Sequence, residues 1–394
     1  MKSAMRLTGA LAACLVVGVL EAGWRTGAGA GANNSEGLAA HTDKSETKLA
    51  NSWDPKAAAA YLDRRQAWWM EWPRAQRDHE TFCVSCHTAV PYALSRSALR
   101  TVLAEQVPSP NEQRLLDSVT KRVRLWKEVE PFYKDADRGP YKSVESRGTE
   151  SVLNALILSS RDAQSGQLSN DAHTAFENMW AEQQIAGKQK GAWLWLRFKN
   201  EPWEADDSDY FGATLAAVAI GIAPGNYRAA PEVQTSLRLL REYLNREFAG
   251  QTTINRALLL WAAAKLPRLL EPDRQKAIIG ALLEKQQADG GWSLSSLSGN
   301  WKRVDGTPEE TTSDGYATGL ITFVLQQVGF SPENAKLKRG LAWLIASQDK
   351  TDGSWPAYSL NKSKENHISP ETALFMNDAA TSYAVLSLTA ATRH

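Results

Sequence analysis

Cysteine is scarce in this chain, which has three cysteines in 394 residues. Cys14 lies near the N-terminus, and Cys83 and Cys86 are three positions apart. One pair cannot cross-link a chain of this length, so the composition excludes a disulfide scaffold. A large excess of charge is also lacking, because the formal net charge is +1. A near-neutral surface of mixed charge argues against a nucleic acid as partner.

Apolar runs long enough to span a membrane are lacking too. The run Leu7–Leu20 is shorter than a membrane span and follows two basic residues, an order typical of an export signal. We expect residues 1–30 to be a signal peptide and the polar residues 31–50 to be a disordered leader. The mature protein is then expected in the periplasm or outside the cell, in soluble form. Leu11–Cys14 resembles a lipobox, so a form anchored by a lipid on Cys14 stays open.

Strand signals are few, and from Trp53 onward the apolar residues recur with helical spacing. Apolar, alanine-rich helices alternate with more charged, amphipathic ones. The predicted apolar helices are Ala89–Val102, Thr149–Ser160, Tyr210–Ile222, Thr252–Ala264, Gly315–Val328 and Ala379–Ala391. The amphipathic ones lie near 55–70, 110–127, 170–185, 231–248, 271–287 and 333–348. A helix that is apolar on most faces is buried, and one with a single apolar stripe lies outside. We therefore predict one all-α domain over residues 51–394, an α/α toroid of about six helical hairpins.

Tryptophan is unusually frequent, with 15 residues, and it marks loops that join an amphipathic helix to the next apolar one. The fullest pattern is Gln348 followed by Gly353–Trp355. Gln286–Trp292 repeats it, and Gln183–Trp193 is a stretched copy. We expect a structural role for these loops. The glutamine can pair with orphan backbone groups, the glycine permits a tight turn, and the tryptophan packs over the hairpin.

These loops resemble the QW repeats of squalene–hopene and oxidosqualene cyclases, and the segment from Arg339 to Trp355 matches best. The resemblance covers most of residues 53–394. It implies the α/α toroid shared by terpenoid cyclases and protein prenyltransferase β-subunits. Triterpene cyclases contain two such barrels, whereas this chain has length for one. The zinc site of the prenyltransferases needs an Asp, a Cys and a His, and the two cysteines in the predicted first hairpin do not suit it.

The proton-donating motif of these cyclases is Asp-x-Asp-Asp-Thr, and its nearest match here is Glu204–Ser208. By this resemblance Asp206 would correspond to the proton donor, with Asp207 beside it. Clustered, buried carboxylates can keep one acid protonated, as such a donor requires. Acids also recur at the starts of other apolar helices, at Glu150, Asp209, Asp314 and Asp378. The interpretation that we favour for all of these acids is helix capping.

The motif with the clearest chemistry is Cys83-Val84-Ser85-Cys86-His87. Its spacing is that of a c-type haem attachment site. Cys83 and Cys86 are predicted to bond covalently to one haem, and His87 is predicted to be an axial ligand of its iron. The export signal supports this prediction, because bacteria attach haem to such motifs outside the cytoplasm. In the predicted toroid the motif occupies a loop where later hairpins carry tryptophan, at the rim of a cavity.

The cysteine pair has three other interpretations besides haem attachment. Zinc needs about four ligands, so His79 would have to join Cys83, Cys86 and His87. A thiol redox motif is typical of a βαβ context, and none is predicted here. A disulfide would leave the histidine unexplained. The sixth iron ligand stays unknown, with six candidates: Met70, Met179, Met376, His79, His173 and His367.

The sequence thus supports three hypotheses. The leading one is an exported haem c protein that transfers electrons or performs haem redox chemistry, with a redox partner that is unknown. An apolar small molecule in the toroid cavity is a further conceivable ligand. The second is a single-barrel, cyclase-like enzyme that uses Asp206 or Asp207 as its acid. The third is a non-enzymatic haem-binding or sensory module.

Overall fold

The computed structural model describes residues 52–130, 139–299, 301–361 and 370–392. The predicted signal peptide, the predicted leader and His367 lie outside these ranges. The described residues are predominantly helical, as the sequence predicts. They form twelve α-helices: α1 (Pro55–Glu71), α2 (Ala89–Leu103), α3 (Pro110–Arg124), α4 (Gly139–Ser165), α5 (Asn170–Glu182), α6 (Ser208–Ile222), α7 (Gln234–Arg246), α8 (Thr253–Lys265), α9 (Pro272–Glu284), α10 (Gly315–Gln327), α11 (Ala335–Ser347) and α12 (Phe375–Ala391).

Strand structure is confined, within the described ranges, to one short antiparallel pair between α1 and α2. Its strands are β1 (Gln76–Arg77) and β2 (Thr81–Phe82), with Gln76 opposite Phe82. None of the described helices combines the length and the apolar character that crossing a membrane requires.

The predicted helices agree with the observed ones to within four residues at each end, except for α4, which also extends five residues beyond its predicted end. That helix begins at Gly139, ten residues before the predicted start at Thr149. The added turns are polar, so they lack the recurring apolar residues that predict a helix from sequence. Their cations find tertiary partners: Lys142 donates to the Arg197 carbonyl, and Arg147 donates to the Trp126 carbonyl. Such long-range contacts stabilise helix where local patterning is weak.

Apolar and amphipathic helices alternate along the chain as predicted. Every residue of α6 from Ser208 to Ile220 is buried, as is every residue of α10 from Gly315 to Gln326. The amphipathic α7 buries a stripe that includes Leu237, Leu240 and Leu244. A helix that is apolar on all faces must be surrounded by protein, so the even-numbered helices form the core.

The even-numbered helices pack in a cyclic order: α2 contacts α4, which contacts α6, and so on through α8, α10 and α12. The last of them, α12, packs against α2. Each odd-numbered helix packs on the even-numbered helix before it, and α1 packs on α12. In this order of contacts, α12 and α2 are therefore neighbours, just as the other successive even-numbered helices are.

Three tryptophan loops have the structural role that their sequence predicts. Trp193, Trp292 and Trp355 are fully buried. Each Nε1 donates a hydrogen bond to a carbonyl near the end of the preceding amphipathic helix, at Met179, Leu282 and Leu344 respectively. The last carbonyls of a helix lack some of their usual intrahelical partners, so the indole nitrogens help to satisfy these helix ends.

The glutamines of the same loops join one hairpin to the next. Each Nε2 donates to a loop carbonyl and to a backbone carbonyl at the start of the next odd-numbered helix. The pairs of acceptors are Gly191 and Ser236 for Gln183, Gly290 and Lys336 for Gln286, and Gly353 and Asp54 for Gln348. Because Asp54 caps α1, Gln348 links the last hairpin to the first.

The capping interpretation of the acids at apolar helix starts is right for Asp314 and wrong for three others. Asp314 accepts from the Ala317 amide in the first turn of α10. Glu150, Asp209 and Asp378 instead pair with arginines from neighbouring elements: Arg122, Arg197 and Arg65. A buried carboxylate needs a counter-charge more than a helix end needs a cap, because its desolvation is costly.

Candidate functional site

The Cys83–His87 segment lies between β2 and α2, in the loop that the sequence predicts. Backbone bonds fix it at its start, where the Cys83 amide donates to the Ala75 carbonyl at 2.7 Å. The Trp69 indole donates to the Cys83 carbonyl at 2.6 Å. Further on, Ser85 Oγ accepts from the amides of Thr88 and Ala89, which shapes the turn into α2. The segment is therefore held on α1 and α2 before any ligand binds.

The three chemically important side chains of this segment line one cavity of about 890 Å³. That volume is in the range of about 300–1,000 Å³ that is usual for ligand and cofactor sites. Five aromatic side chains line it, from α1 and its C-cap, from α12 and from the loop before α6: Trp69, Trp72, Phe198, Trp203 and Phe375. Basic side chains also line it, at Arg74, Arg77 and Lys199. The cavity thus joins two thiols and an imidazole to flat apolar walls and positive charge.

His87 is 4 % exposed and is held between aromatic rings. Phe375 stacks on it at 3.7 Å between centroids, and the edge of Trp69 meets it at 5.0 Å. Burial, assisted by the positive charge of Arg65, lowers the pKa of His87 to about 3. The imidazole is therefore neutral across the physiological pH range. A neutral imidazole is the form that binds a metal ion.

Both cysteines of the segment are free thiols. Burial raises the pKa of Cys83 to about 11 and that of Cys86 well above its usual value. Reactive redox cysteines have a lowered pKa, so these thiols do not resemble a thiol redox centre. Their shared cavity with His87 suits covalent attachment of a haem.

The zinc interpretation of the same residues needs His79 as a fourth ligand. His79 lies beside Asp78, with 3.7 Å between its Nε2 and the carboxylate, and it is not among the residues that line the cavity. Across the described part of the chain, no three His, Cys, Asp or Glu side chains come together in a way that could hold a metal ion. The residues fit a haem, whose four equatorial ligands come from the porphyrin, better than they fit a bare ion.

The two acids that the cyclase resemblance singles out do not line this cavity. Asp206 is exposed. Asp207 is partly buried, and burial raises its pKa, but it gives no side-chain cap to α6. The capping interpretation is therefore wrong for Asp207. One of its carboxylate oxygens finds no hydrogen-bond partner among the described residues.

The acid that does line the cavity is Glu204, the first residue of the same short match. A tight turn places it, because the Glu204 amide donates to the Asn200 carbonyl at 3.0 Å. Burial raises the pKa of Glu204 to about 7, although a 3.3 Å bond from Asn200 Nδ2 favours the carboxylate. Sequence reasoning missed this residue. Its only signal in the sequence is its position as the first residue of the Glu204–Ser208 motif, in which Asp206 and Asp207 are the candidate acids.

Side chains almost fill one space between the core helices α2, α6, α8 and α12. A cavity lined by Cys86, Phe211, Trp261 and Tyr383 has a volume of about 10 Å³. A single water needs roughly that much, so a polyprenyl chain cannot enter there.

Among the candidates for a sixth iron ligand, Met376 lines the cavity that holds Cys83, Cys86 and His87. Met70 and Met179 are fully buried in the core, and His173 is exposed on α5. Met376 is therefore the candidate that the described structure places at the site.

Comparisons with known proteins add no family. A scan against models of protein families found no match, and a search of curated proteins found none either.

Proposed function

We propose that this chain is an exported protein that binds one haem c and uses it for electron transfer or haem redox chemistry. The observation that carries the proposal is that Cys83, Cys86 and His87 line a single cavity with aromatic walls. When bound, haem c supplies an iron centre that changes its oxidation state by one electron. The chain itself supplies attachment, one axial ligand and the surroundings.

Each part of the cavity has a role in this proposal. Cys83 and Cys86 would hold the haem through thioether bonds, and His87 would be a ligand of its iron. The aromatic walls, with Trp69 and Trp72 on one side, exclude water and so adjust the potential. Arg74 and the other cations of the cavity offer positive charge to the carboxylates that a haem carries.

We also infer that the six hairpins close into an α/α toroid. The cyclic packing of the even-numbered helices supports it, as does the link from Gln348 to Asp54. In this architecture the cavity opens at one rim. The segments that line it include those leading into α2 and α6 and the start of α12, which agrees with such a rim.

Covalent attachment is tested by a haem stain of denatured protein and a pyridine haemochrome spectrum. The full chain is produced in cells that have the haem c maturation machinery. We expect one haem per chain, and we expect the Cys83→Ala, Cys86→Ala variant to lose it. Cys14→Ser is the matched control, because it removes the remaining cysteine and should keep the stain. A wild-type chain that is exported and unstained would refute the proposal.

Export has its own test. N-terminal sequencing of protein purified from the periplasm should find a chain that starts near residue 31, or a lipid-modified Cys14 in the membrane fraction. A full-length chain confined to the cytoplasm would contradict the proposed localisation.

A further inference from the structure

A chain of buried hydrogen bonds connects His87 to the carboxylate of Asp378, which lies near the C-terminal end of the sequence. His87 Nδ1 lies 2.9 Å from Thr88 Oγ1, and Thr88 Oγ1 donates to Asp378 Oδ2 at 2.7 Å. Thr88 is 2 % exposed and Asp378 is 1 % exposed. The residues come from the N-terminus of α2 and the first turn of α12, so only the folded chain brings them together.

Two further side chains fix the charge of the carboxylate. Arg65 donates to both oxygens of Asp378, at 2.6 and 3.0 Å, and Tyr61 donates to Oδ1 at 3.0 Å. Burial raises the pKa of Asp378, and the two-pronged pair with the Arg65 guanidinium opposes that shift by favouring the ionised carboxylate. Asp378 is therefore an acceptor in all of these bonds, including the one from Thr88.

The direction of the bonds then determines the tautomer of His87. A hydroxyl has one proton, and Thr88 gives that proton to Asp378. Its oxygen can only accept from His87, so the proton of the neutral imidazole lies on Nδ1. No hydrogen bond reaches Nε2 from the described residues, and the lone pair on Nε2 is available at the cavity.

We propose that Thr88 and Asp378 are positioning residues that hold His87 in the tautomer protonated on Nδ1 and pass negative charge to its ring. The tautomer is a property of the chain alone. Its redox consequence rests on the proposed function, because it requires an iron bound to Nε2. A more electron-rich imidazole stabilises ferric over ferrous iron, so the relay from Asp378 through Thr88 lowers the midpoint potential.

The test compares Thr88→Val with Thr88→Ser in the haem-loaded full chain. Valine has the shape of threonine without its hydroxyl, and Thr88 makes no side-chain cap to α2, so the helix keeps its start. We expect the valine variant to favour ferrous iron about tenfold more than wild type, a rise of about 59 mV for one electron. The serine variant should keep the wild-type potential, because it restores the hydroxyl.

A second measurement does not depend on haem. In the full chain prepared without haem, ¹⁵N NMR of the histidine ring should show Nδ1 protonated and Nε2 unprotonated at His87. The Thr88→Val variant should show a mixture of tautomers, and Thr88→Ser should not.

The outcomes separate this inference from the proposed function. If haem is bound and the valine variant keeps the wild-type potential, the relay is refuted and haem binding stands. If the wild-type chain binds no haem, the proposed function fails, and the NMR result decides the relay by itself. A ring protonated on Nε2 in the wild-type chain would overturn the inference.

Discussion

Replacement of Gln348 by methionine tests how much the side-chain amide of a loop glutamine stabilises the fold. Gln348 is 3 % exposed and makes three hydrogen bonds with its amide group. Its Oε1 accepts from the Asp54 amide at 2.6 Å, and its Nε2 donates to the carbonyls of Asp54 and Gly353 at 2.9 and 3.0 Å. Methionine keeps the length of the side chain and removes all three bonds.

The size of the effect follows from where the partners lie. A neutral hydrogen bond contributes about 0.5–1.5 kcal/mol net, and a buried group that loses its partner costs more. Asp54 is exposed, so water can replace both bonds to its backbone, whereas the Gly353 carbonyl belongs to a buried residue. We therefore expect Gln348→Met to lower the free energy of unfolding by about 2 kcal/mol.

Urea denaturation followed by tryptophan fluorescence measures this loss. Gln113→Met is the matched control, because Gln113 is exposed and bonds only to Asp117 at 2.7 Å. Its effect should lie within about 0.5 kcal/mol of wild type. If the two variants unfold at the same urea concentration, the three hydrogen bonds of Gln348 contribute no measurable stability, and the expected loss is refuted.

Three further predictions concern packing and charge. Trp355→Phe removes the 2.7 Å bond to the Leu344 carbonyl and should cost about 2 kcal/mol of unfolding free energy, and an unchanged urea midpoint would contradict the proposed capping role. Burial raises the pKa of Glu204 to about 7, so the folded chain keeps a proton that the unfolded chain releases. The contribution of Glu204 to stability should then fall as the pH rises from about 5 through 7, so the stability of wild type relative to Glu204→Gln should fall over that range; a difference that stays constant in urea titrations at several pH values would refute the burial argument. Gly191 has φ +99°, and a Cβ there would lie 2.1 Å from the Leu239 carbonyl oxygen, whereas Gly187 has φ +74° and nothing within 4 Å. Gly187→Ala should therefore cost about 1 kcal/mol of backbone strain, and Gly191→Ala at least 1–3 kcal/mol more; similar melting curves for the two would argue against close packing at Gly191.

The order of the helices could be predicted from the sequence because burial leaves a periodic pattern. The fully apolar helix α6 and the striped helix α7 are unmistakable on that basis. The start of α4 could not be predicted, because its first turns are polar and depend on partners such as the Arg197 carbonyl, far away in the chain. The structural role of the tryptophan loops could be predicted, because Gln can pair with backbone groups at a helix end, Gly permits a tight turn and Trp packs over the hairpin.

The acids show the limit of such reasoning. In the sequence, Glu204, Asp206 and Asp207 form one group of acids. The resemblance to the cyclases singles out Asp206 and Asp207 as candidate proton donors. The structure exposes Asp206 and places Glu204 at the cavity, because the turn from Asn200 to Glu204 decides which side chain faces inward. Asp378 likewise looks like a capping residue in the sequence, and the fold makes it the partner of Arg65.

The sequence by itself determined the helical class of this protein, the alternation of its helices and the presence of two cysteines and a histidine at haem-attachment spacing. Those features are local, because they depend on residue type and short spacing. Only the tertiary structure decided what surrounds them. The aromatic walls of the cavity and the path from His87 through Thr88 to Asp378 join segments about 290 residues apart. Contacts of that range arise from packing, and no pattern within one segment encodes them.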